Sequence, residues 1–129
     1  MKPLLVPATD DTPKIDFNPE SGELEIVGNS YPENSAQFYT PVIEWLSGYL
    51  PVTPNPVTFH FNFDYFNTSS AKFILEILRI LEIHHDNGVK CTVKWHYYVD
   101  DIDVLESGED YQSIVSIPFE LVERDDTLN

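Results

Sequence analysis

Three consecutive hydroxyl side chains, Thr68, Ser69 and Ser70, stand in the run FDYFNTSSAKFILEIL (Phe63 to Leu78), where an alternating apolar pattern gives way to a helical one. Hydroxyls at a helix start can cap it, accepting hydrogen bonds from its unpaired N–H groups. They can also accept a phosphoryl group. A helix amino-terminus carries free N–H groups and a partial positive charge, and both favour a phosphate placed there. Such a group brings about −1.5 to −2 charges and strong acceptor oxygens. Asn67 or Thr68 would serve as the N-cap, a role worth about 1 kcal/mol. Residue types alone do not choose among the three hydroxyls.

Other chemistry is less well provided for. His60, Asp64 and His96 fall on the polar positions of two alternating runs, and histidines with a carboxylate can hold a metal. The HHD run (His84 to Asp86) closes a helical stretch, where histidines suit the carboxyl end of the dipole. Cys91 falls on the apolar face of a strand pattern and reads as packing, not as a nucleophile. With five glycines in the chain, no glycine-rich phosphate loop is present. No pair of carboxylates has a spacing that singles out an acid and a base. The chain reads as a substrate of phosphoryl transfer, without enzymatic activity and without a cofactor.

Charge restricts the partners. The 129 residues hold 22 acidic and 7 basic side chains, a net charge of −15. A field of that sign disfavours nucleic acid and anionic membranes and favours a basic protein. One cysteine excludes an internal disulfide and fits a reducing compartment. The opening MKPLLVPATDD lacks the apolar length of a signal peptide, and no run reaches membrane-spanning length. The expectation is a cytoplasmic protein with no membrane insertion.

The elements that must position the hydroxyls follow from periodicity. Length and a 42% hydrophobic fraction predict one domain over 1–129, with an ordered core from about 12 to 119. The first dozen residues and the closing ERDDTLN read as frayed polar ends. KIDF and ELEIVG predict a hairpin through NPESG. A helix follows, capped by Asn34 with Gln37 in the capping-box position, or starting later at Pro41 with Thr40 as cap. Val57, Phe59, Phe61, Phe63 and Tyr65 alternate with polar partners and with Phe66 in the clearest strand. A long helix runs from Ser69 to about His84, with Gly88 just outside. Cys91, Val93, Trp95 and Tyr97 mark a fourth strand, Ile102 to Val115 a weaker helix, and SIPFELVE a last strand. The predicted order is β-β-α-β-α-β-α-β, an α/β domain with a mixed, mainly parallel sheet. Each strand has one polar face, so the helices should lie mostly on one side. The apolar arc of the helix from Ser69 is too wide for a sheet alone, so neighbouring helices or a partner must cover it.

In a parallel sheet the strand-to-helix turns gather at the carboxyl ends of the strands. GNSYPENS (Gly28 to Ser35) and FNTSS (Phe66 to Ser70) would share that edge. Together with KWHY in the next strand, the runs GNSYPENS and YFNTSSAK resemble the SiaC-type family of bacterial regulatory phosphoproteins, over about Thr12 to Phe119. The organisation is also similar to STAS-like anti-sigma-factor antagonists, which carry a phosphorylatable hydroxyl at the equivalent helix start. The resemblance implies a non-enzymatic partner switch. A cognate protein kinase would phosphorylate Thr68 and a PPM-type phosphatase would reverse it. The unphosphorylated form would bind and activate a diguanylate cyclase, controlling cyclic-di-GMP and biofilm formation. It further implies a partner surface of Tyr31, Pro32, Glu33 and Asn34, with Asn67, Ser69 and Ser70 around the modified residue. The competing readings are a small metal-dependent enzyme at His60, Asp64 and His96, and a ligand-sensing STAS-like module.

Overall fold

The structure, a computed structural model, describes residues 1–124. Nine elements follow in order: β1 (Leu4–Val6), β2 (Lys14–Phe17), β3 (Glu23–Ser30), α1 (Ser35–Tyr49), β4 (Val57–Phe66), α2 (Thr68–Asp86), β5 (Cys91–Tyr98), α3 (Ile102–Ile114) and β6 (Phe119–Arg124). They make one six-stranded sheet in which strand order equals chain order. β1, β2 and β3 are antiparallel neighbours, and β3 through β6 run parallel. The predicted α/β class and mainly parallel mixed sheet are therefore present.

That unbroken order explains why one sheet face stays wet. β-α-β crossovers are right-handed as a rule, so three crossovers advancing in one direction lay their helices on the same side. The helix-facing residues of the strands (Phe59, Phe61, Phe63, Val93, Trp95) join Tyr39, Leu46, Ile74, Leu78 and Val104 in a single buried core. On the opposite face His60, Asn62, His96 and Lys94 are only half-buried. Arg124 lies 3.7 Å over the Tyr98 ring there and reaches to 3.8 Å from Asp64.

The wide apolar arc of α2 is covered from within the chain. Phe73 stacks on Tyr39 of α1 at 5.4 Å, and Tyr111 of α3 donates its hydroxyl to the Ala71 carbonyl at 3.0 Å.

Several expectations need correction. The first residues are not a frayed end, because Leu4–Val6 pairs with β2, setting Leu4 against Phe17 and Val6 against Ile15. Trp45 Nε1 also donates to the Lys2 carbonyl at 2.9 Å. Three residues between Pro3 and Pro7 are too few to display a period of two. The order is thus β-β-β-α-β-α-β-α-β. At the other end β6 includes Glu123 and Arg124, and residues 125–129 lie outside the described part.

The strand alternation also breaks once. Gly28, at φ 121°, sits at a bulge: Gly28 pairs with Phe63, but Asn29 pairs with Tyr65, so Asp64 is the extra residue. One inserted residue exchanges the two faces of everything beyond it. Phe66 therefore turns inward onto Phe63 and Trp95, and Tyr65 turns out, 55% exposed.

Gly108 is fixed by packing. A Cβ there would overlap the indole of Trp95 and come within 2.9 Å of Leu121 Cδ2. Gly108→Ala is expected to lose about 1–3 kcal/mol in urea unfolding, with the midpoint falling and the slope unchanged.

Candidate functional site

The carboxyl edge of the parallel strands collects both turns singled out by the sequence. β3 ends at Ser30 and β4 at Phe66, and the Asn67 N–H donates to the Ser30 carbonyl at 2.9 Å. Each turn ends in an asparagine that caps the next helix. Asn34 Oδ1 accepts from the Gln37 N–H at 3.0 Å, and Asn67 Oδ1 from the Ser70 N–H at 2.9 Å. Helix α1 is thus one helix from Ser35, with Pro41 inside it, and Thr40 is not its cap. Thr40 instead donates its hydroxyl to the Ala36 carbonyl at 2.6 Å.

The three hydroxyls have different surroundings. Ser70 is fully buried: its Oγ donates to the Ser30 carbonyl at 3.0 Å and lies 2.8 Å from Ser30 Oγ. Ser30 Oγ is in turn 2.6 Å from the Tyr39 hydroxyl. Burial pushes that phenol up to about 12, against the opposing hydrogen bonds from Ser30 and Ser70. Ser69 is exposed, but its Oγ donates to Asn67 Oδ1 at 3.1 Å and lies 2.6 Å from Ser35 Oγ. Thr68 is the first residue of α2 and is exposed. Among the described residues no hydrogen bond engages its hydroxyl. Asn67, which precedes it, is the cap, and the first turn of α2 contains no acidic residue. In a chain with 22 carboxylates that gap leaves the helix dipole unopposed at this position. Lys72 lies one helical turn on, a spacing that places the two side chains on one face.

Of the other residues named from sequence, Tyr31, Glu33 and Asn34 are exposed, Asn67 is half-buried, and Pro32 is buried. Tyr31 meets Tyr65 edge-on at 5.9 Å. Sequence reasoning missed Tyr65 because the bulge reverses its face, and it missed Val99 in the turn after β5 and Ile102 at the start of α3. These three and Tyr31, between 42% and 63% exposed, put apolar surface on one edge. Asp64, Asp101 and Asp103 surround a hollow of about 210 Å³ beside Tyr65 and Phe66. The edge is therefore both apolar and acidic.

The family described as SiaC family regulatory phosphoprotein matches residues 6–124. The chain belongs to the SiaC family. An uncharacterized protein of Pseudomonas aeruginosa strain UCBPP-PA14 is 34% identical over 126 residues, which are 98% of this chain and 100% of that protein. The crystal structure of apo-SiaC from Pseudomonas aeruginosa superposes with a TM-score of 0.87 at 35% identity, covering 95% of this chain and 99% of that one. A second relative is the crystal structure of diguanylate cyclase SiaD in complex with its activator SiaC, also from Pseudomonas aeruginosa. The matching chain has a TM-score of 0.89 and 34% identity, covering 94% of this chain and 99% of that one.

Other sites suggested by sequence look different in this SiaC-family fold. His60 Nδ1 and His96 Nε2 are 3.0 Å apart, a hydrogen-bonded pair with Glu23 Oε1 3.4 Å from His60 Nε2. Asp64 is drawn to Arg124 instead. Among the described residues no group of three His, Cys, Asp or Glu side chains is placed to hold a metal. Cys91 is buried, and burial pushes its thiol up to about 11. No helix among the described residues is long and apolar enough to cross a membrane.

Two outcomes follow for stability. Ser70→Ala removes one of two donors to the Ser30 carbonyl, which keeps the Asn67 N–H, and leaves the buried Ser30 hydroxyl with Tyr39 alone, so it should lose about 0.5–1.5 kcal/mol in urea unfolding, more than Ser69→Ala. Burial, and next the charge of His60, hold the His96 imidazole down to about 4, from an ordinary 6.5. Between those values the unfolded chain binds the extra proton, so stability falls as pH drops from about 6.5 to about 4. Partial exposure limits the loss to on the order of 1 kcal/mol. His96→Gln should flatten that limb of a pH-stability curve.

Proposed function

We propose that the chain is a non-enzymatic, cytoplasmic regulatory phosphoprotein that is switched at Thr68. In this reading a cognate protein kinase phosphorylates Thr68 and a PPM-type phosphatase removes the group. The unphosphorylated form binds and activates a diguanylate cyclase, raising cyclic-di-GMP and promoting biofilm formation. The observation that carries it is the contrast among neighbouring hydroxyls. Thr68 is exposed and unengaged, Ser69 is tied to Ser35 and Asn67, and Ser70 is buried. The pairing of a SiaC with a diguanylate cyclase in a relative supports the identity of the target.

The partner surface in this reading combines Tyr31, Glu33, Asn34 and Ser69 with Tyr65, Val99 and Ile102. Pro32, Asn67 and Ser70 hold its shape from behind. A phosphate on Thr68 would be held by the free N–H groups of α2 and by Lys72, so the fold tolerates it. Its effect on a partner has two opposing parts. More negative charge attracts a basic partner at long range, but exposed ion pairs contribute only about 0–1 kcal/mol. Closing an apolar contact over the dianion strips it of water, which costs several kcal/mol. Desolvation wins, and the modified form is released.

Incubation with the cognate kinase should add one phosphoryl group, which peptide mapping places on Thr68. In titrations against the purified cyclase, Thr68→Ala should bind like the unmodified chain and sustain cyclic-di-GMP synthesis. Thr68→Asp should bind at least about tenfold more weakly, roughly 1.4 kcal/mol. Equal cyclase affinity of the phosphorylated and unmodified chains would overturn the switch.

A further inference from the structure

A large hollow lies beside the Thr68 turn, not at it. A groove of about 510 Å³ runs between β1 and α1, within the range of pockets that receive ligands or anchor side chains. Its floor is Leu4, Val6 and Ile15, and its far wall is Phe38, Pro41 and Val42. Strand directions bring it to the carboxyl edge. β1 runs toward that edge and β2 away from it, so the loop between them sits beside the SYPEN turn, where the Tyr31 N–H donates to the Asp11 carbonyl at 2.8 Å. At the opposite end the bond from Trp45 to the Lys2 carbonyl holds strand and helix together. Pro32, Glu33 and Asn34 form the lip.

The polar groups around the groove are biased toward acceptors. Asp11 and Glu33 contribute carboxylates and no lysine or arginine lines it. Pro41 has no N–H to offer the Gln37 carbonyl one turn earlier, and both residues line the groove. An apolar floor under an acidic, acceptor-rich rim suits a bulky apolar side chain flanked by lysine or arginine. A second copy of this chain is a poor occupant, because its rim and its net charge of −15 would meet their like. Strand addition along β1 is also poor, since Pro3 and Pro7 leave only three residues of edge.

We infer that this groove is a second docking site for the diguanylate cyclase, receiving an apolar anchor residue on a basic segment of that protein. The inference rests on the proposed cyclase partnership and extends its contact from the Thr68 edge, across the SYPEN turn, into the groove. Binding is then divided between a part that phosphate governs and a part that it does not touch.

The test uses Gln37→Lys/Pro41→Lys, a pair of exposed groove positions outside the edge around Thr68. Replacing a helix-interior proline restores a backbone donor, so the fold is retained. Calorimetric titration against the purified cognate cyclase should give at least tenfold weaker binding, while Glu120→Lys on the wet face stays within twofold of the unmodified chain. In parallel, an environment-sensitive fluorophore on Gln37→Cys should shift to the blue when cyclase is added, and one on Glu120→Cys should not. Cys91 is 1% exposed and so does not compete for the label. If the unmodified chain binds and is released by phosphorylation, yet the double variant keeps full affinity, the groove assignment falls and the switch stands. If the unmodified chain does not bind cyclase at all, both fall. Equal weakening by Glu120→Lys, or a blue shift on self-association without cyclase, also overturns the groove assignment.

Discussion

A buried hydroxyl cluster fixes the geometry of the functional edge. Ser30 Oγ, at the end of β3, is 2.6 Å from the Tyr39 hydroxyl on α1 and 2.8 Å from Ser70 Oγ on α2. Three elements are thereby set against one another. Buried polar groups are stabilising only when satisfied, so the cluster specifies a single arrangement and penalises any other. The Ser35–Ser69 contact continues the connection to the surface. The exposed Thr68 is thus carried on a turn whose neighbours are firmly placed.

Topology decides what kind of site this edge can be. Doubly wound sheets bind small ligands in the crevice where strand order reverses and helices diverge to opposite faces. Here the order never reverses. The carboxyl edge is consequently a ledge with exposed aromatic and aliphatic side chains, a shape better matched to another protein's surface than to a nucleotide or metabolite. The hollow among Asp64, Asp101 and Asp103 and the groove beside β1 are indentations at either side of that ledge.

Much of this was legible in the sequence, and the misses have physical causes. The alternation through Phe63 and the caps at Asn34 and Asn67 are local signals, and with the strand–helix alternation they put both turns on one edge. The wet face followed from the polar positions His60, Asn62 and Lys94. What stayed hidden depended on distant pairing. A strand as short as Leu4–Val6 has no period of its own and exists because β2 offers it a partner. The bulge at Asp64 is set by Gly28 across the sheet, so Tyr65 could not be assigned to the outside from β4 alone. Residue types could not separate Thr68 from Ser69 and Ser70, because burial is a property of what packs against α2. Lys72 reads from spacing as part of the polar stripe of α2 with Glu76, and the same spacing puts it one turn from Thr68.

The thiol on β5 closes off a different kind of regulation. With burial holding its proton up to about 11, Cys91 stays a thiol at neutral pH. It is also the chain's one sulfhydryl, sealed beneath the helices. Peroxide or disulfide stress therefore has little access to this thiol.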